Sequence, residues 1–144
     1  MHSHPPNPPS PPVPKTLLAL TAVYFLASLW HFTHNAEFIC DYPNLPAWLT
    51  SAKVYAAWGA VTAVGAAGLL FIRRRLVALG LAFVAAYASL GFDGLGHYAY
   101  APFEFHTLGA NLTILSEVTA GAVLLAFTLC TLASRRSAPA EGRH

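Results

Sequence analysis

His31, His34, Asn35 and Glu37 crowd the end of a long apolar run, Asp93 and His97 end a second, and Thr113 and Glu117 lie inside a third. An ionisable side chain at the centre of an apolar span costs about 2.5–3.5 kcal/mol on insertion scales, so such groups mark function by default. Imidazole and carboxylate together suit zinc, iron, manganese or copper, and no cysteine lies among them to demand a softer ion. The ligands expected for a divalent transition metal are His31, His34, Asp93, His97 and Glu117. Around them Asn35, Glu37, His106, Asn111 and Thr113 would orient ligands, pass protons or guard the mouth. In a catalytic version the ion activates water or polarises a substrate oxygen, with Glu37 or Glu117 as general base.

The helices that must carry these groups can be read from composition. Of 144 residues, 56% are hydrophobic and only 10% charged, against about 25% charged in soluble domains. Mean hydropathy is +0.50. Four apolar segments, about 15–40, 48–72, 76–100 and 107–133, each approach the roughly 20 residues that a transmembrane helix needs. The fold expected is an all-α integral membrane protein, an antiparallel four-helix bundle over 15–134. A Pro-rich arm over 1–14 and a tail over 135–144 flank it. Lys15, Arg73–Arg75 and Arg135–Arg136 mark alternate segment ends, while the other two connections carry no Lys or Arg. The positive-inside rule then makes both termini cytoplasmic, in a plasma (bacterial inner) membrane. A net charge of +2 gives no footing for nucleic acid. The partners expected are the lipid bilayer and a lipid or small molecule arriving from the outer face.

Rise along the helices brings the polar groups to matching depth. His31 stands about 24 Å above Lys15, and Asp93 and Glu117 about 27 Å above their flanking arginines. His34, Glu37, His97 and Thr113 form a second level about a turn higher. His31, His34 and Asn35 share one face, and Asp93 stacks on His97 as Thr113 does on Glu117. Gly91, Gly94 and Gly96 bracket Asp93 and are expected either to pack closely or to interrupt the helix beside the site. Tyr42, Trp48, Tyr98, Tyr100, Phe103 and Phe105 are expected as interfacial anchors. Cys40 and Cys130 are expected as free thiols, and His2 and His4 as a weak chelating pair at most.

Three other readings fit parts of the pattern. A hydrogen-bonded network or proton relay would hold the helices in register. His34 and His97 at one level could be axial ligands to haem. Four spans with a His and a carboxylate near the end of the first resemble the EXPERA group of sterol-isomerase-like membrane proteins. That resemblance implies lipid binding or isomerisation by acid and base residues without metal. It departs at span two, which has no carboxylate and only Ser51, Lys53 and Tyr55 near its outer end. Asp93-x-x-x-His97 with His106 beyond is similar to a copper-ligand pattern of membrane monooxygenase subunits, with a shorter spacing to the third ligand.

Overall fold

The computed structural model describes residues 13–137. His2 and His4, with most of the arm and tail, lie outside them. Four helices long and apolar enough to cross a membrane make up the chain, with no strand among the described residues. They are α1 (Lys15–Glu37), α2 (Ser51–Arg73), a third rod starting as α3 (Val77–Leu90), and α5 (Leu108–Ser137). The third rod continues as a 3-10 segment, Gly91–Gly96, and ends in a single turn, α4 (His97–Tyr100).

The helices close into a ring: α1 packs on α2 and α5, and α3 packs on α2 and α5. Its core is Leu17, Tyr24, Ile72, Leu81, Val84, Tyr87, Ala88 and Leu124. No more than 39% of the most apolar window of any span is buried inside the ring. Val23, Leu26, Trp30, Leu112 and Val123 therefore face outward, an arrangement compatible with contact to a lipid bilayer.

Small residues set the closest contact. A Cβ added to Gly80 would fall 2.6 Å from the Gly68 carbonyl oxygen and 2.8 Å from the Ile72 nitrogen. Gly65 lies under the Tyr87 ring in the same interface. Close backbone approach of this kind is what holds helices together where burial from water supplies no drive. Gly59 belongs to the same small-residue run yet meets nothing within 4 Å. The tight link between α2 and α3 passes through Arg75 at φ 68°.

The connections at the other end are built from side chains. Phe38 N–H bonds the His34 carbonyl, and a 3-10 turn, Ile39–Asp41, leads into the loop. Asn44 adopts φ 60°, which asparagine tolerates, and its amide donates to the Tyr100 carbonyl across 2.9 Å. Ser51 Oγ donates to the Ala36 carbonyl, tying the start of α2 to the end of α1. Thr107 caps α5 by accepting from Ala110 N–H. These bonds fix two loops over the end of the ring that carries the polar groups.

Candidate functional site

The carbonyl and hydroxyl chemistry around His31 decides its proton placement. His31 is 2% exposed. Its Nδ1 lies 3.3 Å from Thr113 Oγ1, whose own hydroxyl donates to the Ala110 carbonyl at 2.9 Å. A hydroxyl has one proton to give. The Thr113 oxygen therefore accepts, His31 donates from Nδ1, and Nε2 is left to face Glu117 Oε2 across 3.7 Å. Glu117 is 1% exposed. Acid and base are thus oriented toward each other by a third group, at a separation that leaves room for a proton acceptor or donor to intervene.

His31 and Glu117 line a cavity of about 270 Å³ together with Asn35, Asp93 and His97. Its other walls include Phe32, Leu45, Leu49, Val54 and Leu90, with exposed Trp48 and Tyr100 at the rim. The volume lies near the lower end of the range for ligand pockets, about 300–1,000 Å³. It suits a small molecule or one end of a longer one. Asn35 Nδ2 donates to His97 Nε2 at 3.2 Å, which places the proton of a neutral His97 on Nδ1.

The remaining expected residues sit around this cavity rather than in it. His34 Nδ1 meets the Tyr42 hydroxyl at 3.0 Å, and its ring lies on Gly109 at the start of α5. Asn111 accepts from the Tyr98 hydroxyl and donates to the Phe103 carbonyl, holding the second loop down. His106 Nδ1 donates to the Pro102 carbonyl in that loop. Glu37 is exposed and accepts from Tyr55 across 2.7 Å, outside the lining of the cavity. Lys53 reaches the Trp48 carbonyl and ring at the rim. Among the described residues no group of three or more His, Cys, Asp or Glu converges as ligands on one point. Cys40 and Cys130 are both exposed free thiols.

Two expectations change on seeing the structure. Asp93 and His97 do not stack as i and i+4 on an α-helix, because the residues between them wind as a 3-10 helix. Four steps of about 120° turn them to roughly 120° apart, against about 40° for α steps. Asp93 is largely exposed, and Gly94 is the residue that faces Glu117 and His31. Tyr42 is no surface anchor. It is 2% exposed, with its ring 4.7–6.3 Å from those of His31, His34, His97 and His106. Burial pushes its phenol up to about 12, so at neutral pH it stays protonated and donates to His34. A loop tyrosine carries no periodicity, and its only sequence signal is its place shortly after His31 and His34.

The His34–Tyr42 contact can be tested alone. A Cβ at Gly109 would fall 2.7 Å from His34 Nε2, so Gly109→Ala is expected to push the imidazole away and break the bond to Tyr42. Ultraviolet resonance Raman of the Tyr42 phenol, with Tyr42→Phe as blank, should show the change; an unaltered signal would place His34 elsewhere. No protein-family model, curated protein or solved structure matches the chain.

Proposed function

We propose that this chain is an antiparallel membrane bundle that binds a small, largely apolar molecule by its polar end and exchanges a proton with it through His31 and Glu117. One observation carries this reading: His31 is held by Thr113 with Nε2 turned to Glu117 at the polar side of a cavity whose other walls are apolar. Asn35, Asp93 and His97 supply the hydrogen bonds that orient the polar end. The apolar part lies along Phe32, Leu49 and Val54 and leaves past Trp48 toward the lipid. Lys15, Arg73–Arg75 and Arg135–Arg136 put both termini and the α2–α3 turn on the cytoplasmic side. The cavity then faces outward, and Glu37 and Glu104 are solvated there.

The single experiment is mass spectrometry of small molecules extracted from detergent-purified protein. Wild type is compared with Glu117→Gln and with Val54→Trp, which fills the cavity. A molecule retained by wild type and lost from both variants supports the reading, and equal retention in all three removes it.

A second reading keeps the transition metal. It is favoured because His31, Asp93, His97 and Glu117 line one cavity, and donation from His31 Nδ1 is the outer-shell bond that ligating histidines make. Elemental analysis of the same samples separates the two. One or two equivalents of zinc, iron, manganese or copper in wild type, absent from His31→Ala, would put the metal first.

A further inference from the structure

The polar side of the cavity presents acceptors. His31 gives its Nδ1 proton to Thr113, so its Nε2 is an acceptor, 3.7 Å from Glu117 Oε2 and too far from it for a hydrogen bond. Asn35 is 7% exposed. Its Nδ2 donates to His97 Nε2, and its Oδ1 is a buried acceptor with no hydrogen-bond partner. Asn35 stands one helical turn beyond His31, and both adjoin His97, the two imidazole centroids being 5.4 Å apart. Asp93 and Glu117 line the same cavity, and among the described residues no Lys or Arg does. Lys53, at the rim, is held on the Trp48 carbonyl at 2.8 Å. Gly94 keeps the acceptors open. It lines the cavity from the 3-10 segment, and a Cβ added there would stand 3.7 Å from Glu117 Oε2 and 3.9 Å from His31 Nε2. Even the smallest side chain would sit against both atoms; with none, they are reached past bare backbone.

Which head group fits is set by donor count, since buried acceptors are almost always matched by a donor. A primary ammonium carries three N–H donors and no acceptor, a hydroxyl one donor, and an ionised carboxylate acceptors only. An ammonium also brings the charge opposite to that of the two lining carboxylates, and a buried charge is tolerated where it is paired and hydrogen-bonded. We infer that the molecule held in the cavity is a primary amine. Its ammonium sits beside Gly94 and donates to His31 Nε2, the Glu117 carboxyl and Asn35 Oδ1, with its apolar chain against Phe32, Leu49 and Val54. The inference rests on the reading of this cavity given above and names the head group it takes. A hydroxyl would leave two of the three acceptors bare. A carboxylate would meet Asp93 and Glu117 with no cation in the lining to offset them.

The test uses the full chain in lipid nanodiscs, with empty nanodiscs to correct for partition into lipid. Tritiated decylamine, decanol and decanoate share a chain length and differ in head group, and binding of each is measured at neutral pH. Decylamine should saturate with a single molecule per chain. Decanol should bind at least about tenfold more weakly, being short of two bonds, and decanoate no better than to empty discs. Gly94→Ala meets its neighbours at ordinary contact distance, so it should unfold at the wild-type temperature yet weaken decylamine about tenfold. Asn35→Leu should weaken it to a similar degree, the effect of one hydrogen bond to a charged group. Decanol or decanoate bound as tightly as decylamine overturns the proposal, as does wild-type affinity in Gly94→Ala. Decylamine still bound by Val54→Trp, whose side chain fills the cavity, would sink the cavity reading itself. No probe bound, beside a co-purifying molecule whose retention depends on Glu117 and Val54, would remove the amine and leave that reading standing.

Discussion

His31→Ala is expected to destabilise the bundle by about 3–5 kcal/mol, the usual result of removing one member of a buried, mutually oriented acid–base pair. The cause is more than lost packing. Glu117 is 1% exposed, and Ser28 Oγ has no hydrogen-bond partner. Without His31 the carboxyl loses the polar group that faces it at 3.7 Å. Glu117→Gln should cost far less stability, because the amide stays neutral, yet it should abolish proton exchange with a ligand. Replacing both residues by leucine removes both polar groups at once and should recover most of the loss. Reversible unfolding in detergent, run as a double-mutant cycle, gives all three numbers. If His31→Ala were as stable as wild type, the pair would not be coupled as its 3.7 Å geometry implies.

Gly80→Ala should be the most damaging single methyl in the chain. The added Cβ would meet the Gly68 carbonyl oxygen, the Ile72 nitrogen and Ile72 Cγ1 at 2.5–2.8 Å. Two of these are backbone atoms that no rotamer change can move. The α2–α3 interface must open, at a cost of about 1–3 kcal/mol. Gly59→Ala, in the same small-residue run but in open space, should instead gain about 0.5–1 kcal/mol of helix propensity. Opposite signs for the same chemical change would show that contact, not composition, makes these glycines matter. Equal effects in unfolding would contradict the close approach.

Much of the helical layout could be read from the sequence, because apolar runs bounded by Arg73–Arg75 and by proline-containing loops leave few alternatives. Helical rise put His31, Asp93 and Glu117 at one depth, and of these His31 and Glu117 face each other at 3.7 Å. Rotation was harder to read. The position of Asp93 follows from how Gly91–Gly96 winds, and a sequence with three glycines is compatible with several windings. Tyr42 was hidden for a different reason. It sits in a loop, where neither period nor propensity says which way a side chain turns. Its ring packs among those of His31, His34, His97 and His106, two of them far away in sequence. Glu37 shows the reverse: it sits near the expected depth, but the helix turns it outward to Tyr55.

The 3-10 winding of Gly91–Gly96 also changes length. Six residues rising about 2.0 Å each, in place of 1.5 Å, make the third rod roughly 3 Å longer than an unbroken α-helix of the same sequence. In a bilayer, added reach must be absorbed by tilt, by a thicker apolar layer, or by lifting the outer end clear of the hydrocarbon. α4 and its Tyr98 and Tyr100 stand at the loop end of that rod, so in a chain that spans a bilayer as proposed above the stretched winding would lift the rim of the cavity toward the headgroups. Membranes of different thickness would then press on the mouth of the cavity unequally.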